Sequence, residues 1–340
     1  MYILIIKVKV LSYIINNNLM NNFNRENSAW CITDGSAGMV SQVKGLALAM
    51  KLDYTLKEVK LRFPWSILPV GIMPTFSSSF SNLIEFTKSS PPKFIISCGR
   101  KSVYLSLFLK KKYKDKVVNI HVQNPKSKFN EFDAIISPKH DNLNLPNSYT
   151  TNLAINHISE ELINSEMEKF SNEIKTDDKP ICSVLIGGQS NNYNFDENEV
   201  DRLIKKIKVI KKNQEVKFFF LFSRRTEKKI ISKINNEFNV SDIVWSDLNS
   251  NPYLALLGFS KYIICTSDSV SMVSEAIVSM KPVYVFRLRS IKSKNRIEDF
   301  NDFIILEGLA RKLEYNLDEF KHDYINETVI IADKIRNKFK

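Results

Sequence analysis

The turn that follows one apolar segment of the chain is unusually rich in groups that bind phosphates and sugars. In "KYIICTSDSVSMVSEA", residues 261–276, five hydroxyl side chains and two carboxylates follow a short run typical of a buried strand. Hydroxyls at a helix N terminus suit a phosphate, and a carboxylate accepts hydrogen bonds from sugar hydroxyls. Helix capping is the alternative explanation, but a cap uses only one of these groups. The candidates are Ser267, Asp268, Ser269, Ser271 and Glu275.

Two more strand-like runs in the second half of the chain end in loops that suit a diphosphate. In "IGGQSNNYNF", residues 186–195, two glycines let the backbone approach a ligand closely. In "FSRRT", residues 222–226, neighbouring arginines offer donors to phosphate oxygens. A long turn and a solvated basic turn are the respective alternatives, and the missing lysine excludes a Walker-type ATPase loop. The candidates are Gly187, Gly188, Ser190, Ser223 and Arg224.

The first half of the chain has two comparable loops and two candidate bases. "TDGSAGMVSQVKGLALAM" begins at residue 33 and "SCGRKS" spans residues 97–102, each after a strand-like run. Asp34 stands where a general base would, although helix capping by Asp34 and Ser36 explains the same pattern. His140, in "KHD", is the reserve base, and Arg100 suits an anion unless its turn is merely solvated. The candidates are Asp34, Gly35, Ser36, Gly38, Gly99, Arg100 and His140.

These loops need strands and helices to position them, and the hydrophobic pattern predicts both. Several strand candidates are continuously apolar, which favours parallel sheets covered on both faces. Amphipathic runs at 39–50, 101–113, 196–212 and 226–238 predict helices between them. The pattern therefore predicts an α/β fold of two Rossmann-like domains that face each other across a cleft. The predicted strands are 29–33, 54–61, 93–98, 116–123, 132–137, 181–187, 216–223, 242–245, 261–266 and 282–286.

Composition shifts along the chain predict five segments. Residues 1–27 form an N-terminal extension, either disordered or upstream of the true start, since their apolar run is too short to span a membrane. Residues 28–155 form the acceptor-side domain, and 181–314 form the nucleotide-sugar domain. Residues 156–180 are a charged linker helix that ends at Pro180. Residues 315–340 are a helix that packs back on the fold.

Charge and cysteine usage narrow the class of partner. The net charge is +12 and the sequence pI is about 9.3, which fits either abundant solvated lysines or a surface for anionic lipid or nucleotide phosphates. Nucleic acid is not expected, because no binding module is present. The four cysteines lie in apolar runs without a C-x-x-C pair, and the histidines are scattered. We therefore expect buried free thiols, no metal and no cofactor.

The sequence resembles the mitochondrial-fission family named for elongated mitochondria, from about Trp30 to Leu313. Members of that family in turn resemble glycosyltransferases of the two-Rossmann GT-B type. The resemblance rests on eight segments of this sequence: "WCITDGSAGMVSQVKGLA", "SCGRKS", "HVQNP", "FDAIISPKHD", "LIGGQS", "SRRT", "NPYLALLGFSKYIICTSDSVSMVSEA" and "KPVYVF".

Site roles follow from similarity to the lipid-linked muramyl-peptide transferase of the GT-B type. That enzyme has a Gly-Gly-Ser donor loop, which Gly187, Gly188 and Ser190 resemble loosely. It also has a serine-rich turn ending in a ribose-binding glutamate, to which Ser269, Ser271 and Glu275 are similar. The first loop of this chain lacks that enzyme's histidine, so Asp34 and His140 are the candidate bases.

The resemblance implies a glycosyltransferase that binds a nucleotide-diphosphate sugar and acts on a lipid-linked or envelope acceptor. Because the sequence has no Asp-x-Asp pair to hold a divalent metal on a diphosphate, we expect this transferase to be metal-independent. A cytoplasmic protein, peripheral at the inner membrane face, would fit that role. One alternative is a non-catalytic membrane-surface adaptor, since the plant member is associated with recruiting a dynamin-related GTPase to mitochondria. The other is a nucleotide-sugar epimerase. No protein partner is identified.

Overall fold

The computed structural model describes residues 25–68, 76–88, 90–174, 179–238, 242–245 and 250–340. Most of the expected N-terminal extension, residues 1–24, lies outside this part of the chain. The contacts divide the chain into two units. The N-terminal unit holds the described residues up to Ser137 together with Asn144–Tyr149 and Ile331–Lys340. The C-terminal unit holds Pro138–Leu143 and Thr150–Ile330.

The N-terminal unit is built on a sheet whose strand order is β2-β1-β3-β4-β5-β6. Strands from β2 to β5 pair in parallel with their neighbours. Strand β2 lies on one side of β1, and β3 and the strands after it lie on the other side. The direction in which strands are added to the sheet therefore reverses between β1 and β3. The strands are β1 (Ser28–Thr33), β2 (Asp53–Glu58), β3 (Phe94–Cys98), β4 (Val118–Val122), β5 (Ala134–Pro138) and β6 (Ser148–Thr151). The helices are α1 (Ala37–Ala49), α2 (Ile84–Thr87) and α3 (Arg100–Tyr113).

The C-terminal unit carries the second sheet, in the order β12-β11-β10-β7-β8-β9, with parallel neighbours. Here the order reverses between β7 and β10. The strands are β7 (Ile181–Ile186), β8 (Lys217–Phe222), β9 (Ile243–Val244), β10 (Ser260–Thr266), β11 (Val283–Phe286) and β12 (Arg311–Lys312). The helices are α4 (Glu160–Lys169), α5 (Glu197–Asn213), α6 (Lys228–Phe238), α7 (Tyr253–Phe259), α8 (Val270–Val278), α9 (Arg296–Leu306) and α10 (Glu327–Lys338), whose last residues belong to the N-terminal unit.

Apolar cores cover both faces of the second sheet, which is why its central strands are continuously hydrophobic. All six residues of β7 are buried. Cys182, Val184 and Ile186 belong to the apolar cluster on one face of the sheet, and Ile181 and Leu185 belong to the cluster on the other face. Helix α5 shows the matching helical spacing, since Val200, Leu203 and Ile207 are fully buried against one cluster. Its N terminus is fixed by Asp196, whose carboxylate accepts the Glu199 N–H at 3.1 Å.

The α/β class with two parallel Rossmann-type sheets is confirmed, and so are all ten predicted strands and the four predicted helices, with small differences at their ends. Strands β6 and β12 were not predicted. Both are edge strands, β6 is a short polar "SYTT" segment, and β12 has two exposed residues. Neither shows the apolar run on which strand prediction depends.

Two of the predicted segments, 156–180 and 315–340, can be compared with the helices of the structure. Helix α10 begins at Glu327 rather than at 315, because the chain before it is held in an irregular path along the C-terminal unit. There Leu317 N donates to Gln214 Oε1 at 2.8 Å, and the Tyr284 hydroxyl donates to Asp318 O at 2.7 Å. The expected linker 156–180 contains α4, which packs within the C-terminal unit beside Gly258 on α7. The predicted domain boundaries otherwise stay a prediction.

The four cysteines are buried free thiols, as expected from their apolar surroundings. Cys31 and Cys98 lie in the first sheet, and Cys182 and Cys265 lie in the second. Burial raises the pKa of the Cys31 thiol to about 12 and raises the pKa of the other three above its usual value. Across the described residues, no helix is both long enough and apolar enough to span a membrane.

Candidate functional site

The loops that follow β7, β8 and β10 meet at one edge of the second sheet. These strands are direct neighbours and run parallel, so their carboxyl ends lie together. The chain order reverses between β7 and β10, and such a reversal point is where open α/β sheets commonly bind ligands. The polar segments that the sequence singled out, after Ile186, Phe222 and Thr266, all begin at this edge.

Asp268 is the centre of a hydrogen-bond network at this edge. Its Oδ2 accepts the Gly188 N–H at 3.0 Å and a guanidinium N–H of Arg225 at 2.7 Å. Its Oδ1 accepts the Thr266 hydroxyl at 2.6 Å, and Thr266 Oγ1 in turn accepts the Gly187 N–H at 2.8 Å. The Asp268 side chain has no exposed area, so its charge depends on these donors and on the cation for compensation. The network connects the loops that follow β7, β8 and β10 to one another.

Gly187 and Gly188 are required by this packing. A Cβ atom on Gly187 would lie 2.2 Å from the Asp268 carboxylate oxygens, and one on Gly188 would lie 2.3 Å from the Arg225 carbonyl oxygen. Both distances are too short for any side chain. The glycine pair therefore admits the internal carboxylate and the neighbouring loop, whether or not a ligand also approaches it.

Arg225, the second arginine of "SRRT", directs its guanidinium into this edge. Besides Asp268 it bonds the carbonyl oxygens of Gly188 at 3.2 Å and Gln189 at 3.4 Å. The sequence alone does not decide between the two arginines of "SRRT", because the direction of consecutive side chains after a strand depends on the turn geometry. Ser223 contributes to that geometry, since its Oγ accepts the Arg225 N–H at 3.2 Å. Arg224 as a phosphate ligand stays a prediction.

Helix α8 begins at the same edge and is capped by Ser269, whose Oγ accepts the Met272 N–H at 3.4 Å. Ser267 does not cap the helix. Its Oγ accepts the Leu288 N–H at 3.0 Å and its carbonyl accepts the Asn301 amide at 3.1 Å, both inside the protein. Of the serines in the turn, Ser269 and Ser271 are therefore the partly exposed ones at the positive end of the helix.

Glu275 lies on α8 four residues after Ser271 and is only 7% exposed. Its Oε2 accepts the Tyr253 hydroxyl at 2.8 Å, a contact from α7 that sequence reasoning missed. Burial raises the pKa of the Tyr253 hydroxyl well above its usual value, and the Glu275 carboxylate raises it further. The tyrosine is therefore a fixed donor that orients the carboxylate. Nothing in the "NPYLALL" pattern distinguishes it from a core tyrosine.

The Ser190 side chain stabilises the turn of its own loop. Its Oγ accepts the backbone N–H groups of Asn192 and Tyr193, each at 3.2 Å, which closes a turn. The Tyr193 ring is fully buried and its hydroxyl donates to Glu298. The predicted role of Ser190 as a phosphate ligand stays a prediction beside this structural one.

In the N-terminal unit, the first loop is closed by a side-chain turn at Asp34, and neither Asp34 nor Ser36 caps helix α1 with its side chain. The Asp34 carboxylate accepts the Ser36 N–H at 3.1 Å, and the Gly35 N–H donates to Thr33 Oγ1 at 3.0 Å, with Gly35 at φ +82°. Ser36 is the residue before α1, although its hydroxyl makes no cap. Gly38 was expected in the flexible turn, but it lies inside α1.

The second loop of this unit lies next to the first. Gly99, at φ +88°, directly precedes α3, and a Cβ there would lie 2.2 Å from the sulfur of Met39 on α1. Burial raises the pKa of the Cys98 thiol and the Asp34 charge raises it further, so the carboxylate is near the end of β3. Arg100 donates to Leu68 O at 2.8 Å. Asp34 is thus a partly exposed carboxylate at the β1/β3 reversal point, and its role as a base stays a prediction.

His140 has a packing role in the C-terminal unit. Its ring meets the buried Phe300 ring edge-on, with 5.5 Å between centroids. The next residue, Asp141, forms an ion pair with Arg296. The sequence expected "KHD" to extend the first domain, but Pro138–Leu143 docks on α9 instead. The reserve role of His140 as a base stays a prediction.

Comparison with known proteins gives a family match over most of the chain. The family model described as "Mitochondrial fission ELM1" matches residues 37–339. A Rickettsia prowazekii protein, described as "Uncharacterized protein RP120", is 28% identical over 92% of this chain and 98% of its own length. The Arabidopsis thaliana "Mitochondrial fission protein ELM1" is 24% identical over 79% of this chain and 70% of its own length.

Solved structures give the fold. The UDP-GlcNAc 2-epimerase of Methanocaldococcus jannaschii aligns with a TM-score of 0.51 and 16% identity, over 91% of this chain and 92% of that one. The glycosyltransferase SnogD of Streptomyces nogalater aligns with a TM-score of 0.51 and 9% identity, over 92% and 96% of the two chains. At such identities the similarity concerns the fold alone, and it confirms the GT-B-like class expected from the sequence.

Proposed function

The chain belongs to the mitochondrial fission ELM1 family, and from that premise we propose that it binds a nucleotide-diphosphate sugar through its C-terminal unit and transfers the sugar. The supporting observation is the edge where β7, β8 and β10 end. A helix N terminus and an arginine lie there beside a glycine turn, and a buried carboxylate lies further along the same helix. That combination suits a diphosphate attached to a ribose.

Each part of the nucleotide has a partner in this proposal. The diphosphate lies at the N terminus of α8, near Ser269 and Ser271, where the helix dipole favours negative charge. The exposed part of the Arg225 guanidinium, whose side chain is 44% exposed, neutralises it. Glu275, held by Tyr253, accepts hydrogen bonds from the ribose hydroxyls. No metal ion takes part, so helix amides and the arginine stabilise the leaving diphosphate.

The transfer step needs an acceptor hydroxyl and a base. The acceptor oxygen attacks the anomeric carbon of the sugar, the bond from that carbon to the diphosphate oxygen breaks, and the hydroxyl proton passes to the base. Asp34 is the proposed base, because it is a partly exposed carboxylate at the reversal point of the first sheet. A lipid-linked acceptor, reached by a peripheral protein, is the class of acceptor we propose from the resemblance.

A thermal-shift screen of the purified protein against UDP, GDP, ADP, CMP and their sugars tests the binding step. A ligand at about a hundred times its dissociation constant stabilises the protein by about 2.7 kcal/mol, which is several degrees. Glu275→Gln keeps an acceptor for Tyr253 but removes the charge, and we expect roughly 10- to 100-fold weaker binding. Glu168→Gln, an exposed glutamate of α4, is the matched control and should leave binding unchanged.

Substitution of Arg224 and of Arg225 gives a second, independent test of nucleotide binding. Arg225→Gln should weaken nucleotide binding more than Arg224→Gln, because the Arg225 guanidinium contacts the glycine turn. If no nucleotide shifts the unfolding temperature, the proposal fails and the membrane-surface adaptor becomes the better account. If a nucleotide sugar binds and is interconverted without any acceptor, the epimerase account replaces glycosyl transfer.

A further inference from the structure

The segment between β11 and α9 is the most cationic exposed loop beside the candidate site. Residues 287–296, "RLRSIKSKNR", contain five cations and no carboxylate, and we name them the basic loop. The loop is bonded to the neighbouring glycine-turn loop, since Ile291 N donates to Asn192 O at 2.8 Å and Ser290 bridges Tyr193. It also meets the serine turn, where Leu288 N donates to Ser267 Oγ.

Internal hydrogen bonds hold the tip of the basic loop in one shape. Ser290 Oγ donates to Lys292 O at 2.9 Å, and Asn295 Nδ2 donates to Ser290 Oγ at 3.0 Å. Leu288 and Asn295 are buried at its two ends. The exposure of residues 289–294 is therefore built into the fold, and whatever the tip binds meets a preformed surface.

The cations of the basic loop fall into two groups. Arg287, Arg289 and Arg296 form ion pairs with carboxylates of the C-terminal unit. Lys292 and Lys294 are exposed and make no side-chain hydrogen bond or ion pair with any described residue. The outer part of the loop is thus the part with uncompensated charge.

An exposed isoleucine lies beside these lysines. Ile291 is 60% exposed, although its backbone is fixed and the loop end next to it is buried. An aliphatic side chain held out between cations gains nothing in water, but it matches a bilayer surface, whose headgroups are anionic and whose interior is apolar. Nucleic acid fits less well, because the tip has no aromatic side chain to stack on bases and its guanidinium, that of Arg289, is ion-paired with Glu199.

We infer that the tip of the basic loop docks the C-terminal unit on an anionic lipid surface, with Ile291 inserted among the headgroups and Lys292 and Lys294 on lipid phosphates. This inference does not depend on nucleotide binding. Each lysine near an anionic membrane contributes about 1 kcal/mol, which corresponds to roughly fivefold in the partition coefficient. Loss of both lysines should therefore weaken binding by a factor on the order of 10 to 30.

Vesicle co-sedimentation of the full chain tests the inference. Mixed phosphatidylcholine and phosphatidylglycerol vesicles should bind the wild-type protein, and pure phosphatidylcholine vesicles should not. The double variant Lys292→Gln/Lys294→Gln should lose the binding by the factor above. The double variant Lys205→Gln/Lys212→Gln removes the same charge from exposed lysines of α5, and it should retain the binding.

Three results would overturn the inference: no binding of the wild-type protein to anionic vesicles, an equal loss in both double variants, or unchanged binding of Ile291→Ser. The second would mean that net charge alone attracts the protein, and the third that no side chain inserts. Unfolding temperatures of all variants are measured alongside. The substituted side chains are exposed, so these temperatures should match that of the wild type.

Discussion

Gly187 shows how the internal network at the second sheet's edge constrains a single position. A Cβ there meets the Asp268 carboxylate at 2.2 Å, and the carboxylate is itself fixed by Gly188, Thr266 and Arg225. We expect Gly187→Ala to lower the free energy of unfolding by about 1–3 kcal/mol through overpacking. Urea denaturation of the C-terminal unit's transition within the full chain measures this.

Gly308→Ala is the control for that variant. Gly308 has φ +71°, and a Cβ added there would have no neighbouring atom within 4 Å. Gly308→Ala should therefore lower the free energy of unfolding only through backbone strain, by about 1 kcal/mol. A smaller loss for Gly187→Ala than for Gly308→Ala would contradict the packing account of the glycine turn.

The candidate residues were predictable to different degrees. Glu275 and Ser271 could be placed on one helical face from their spacing alone, and the structure has both on α8. The contact of Arg225 with Asp268 and the donor role of Tyr253 depend on side-chain directions that the local sequence does not encode. Ser267 and Asp268 were expected to face a ligand, but they are buried and bonded inside the protein. Much of the turn's polarity therefore organises its own loops.

Among the elements, the first residue of α10 is joined to the segment after β6 by one carboxylate. Glu327 accepts the backbone N–H groups of Asn152, at 2.8 Å, and Leu153, at 3.1 Å. Glu327→Gln removes the charge from this clamp, and we expect the free energy of unfolding to fall by about 1 kcal/mol, at the low end for a partly exposed charged acceptor.

Chemical denaturation of Glu327→Gln beside Glu307→Gln measures the difference. Glu307 follows α9, is exposed, and has only a backbone hydrogen bond to the described part of the chain, so its substitution should change stability little. Equal effects of the two variants would show that the clamp at Asn152 contributes nothing.

Helices and strands were predicted correctly where burial gives the apolar residues a regular spacing. The prediction failed where contacts with distant residues determine the backbone conformation. Helix α5 is recognisable by apolar residues at helical spacing, and β7 by an unbroken apolar run. The segment before α10 has helix-forming residues, yet contacts with Gln214 and Tyr284 hold it in an irregular path. Such long-range contacts leave no local pattern in the sequence.

For the whole molecule, the clearest pH dependence comes from a histidine that the sequence did not single out. His121 on β4 is 1% exposed and hydrogen-bonded to Ser97 Oγ at 2.9 Å. Burial lowers the pKa of its imidazole from 6.5 to about 3. Well above pH 6.5 the ring is neutral in both folded and unfolded chains, and it contributes no pH dependence.

Below that pH the unfolded chain binds a proton that the folded protein does not. The His121 contribution to the free energy of unfolding should therefore fall by about 1.4 kcal/mol per pH unit, down to the folded pKa. The difference in pH slope between the wild type and His121→Gln isolates this contribution. An unchanged slope in His121→Gln would mean that the buried ring does not resist protonation.

The overall architecture was the most predictable level of this protein. Ten apolar runs separated by amphipathic ones sufficed for two parallel sheets, because a short, continuously apolar run is typical of a strand covered on both faces. The division between the units was less predictable, since Pro138–Leu143 leaves the first sheet and docks on α9. That docking uses Asp141 with Arg296 and His140 with Phe300, contacts that join residues far apart in the sequence.

The positions of the four cysteines make it possible to measure the unfolding of each sheet separately. Each sheet carries two native cysteines, all four buried and with raised pKa values, so a thiol reagent reacts only after the surrounding strands separate. Labelling kinetics resolved by peptide mass therefore report two opening free energies from one unmodified chain. Equal rates at Cys31 and Cys182 would indicate that both sheets open together, and unequal rates would rank their stabilities.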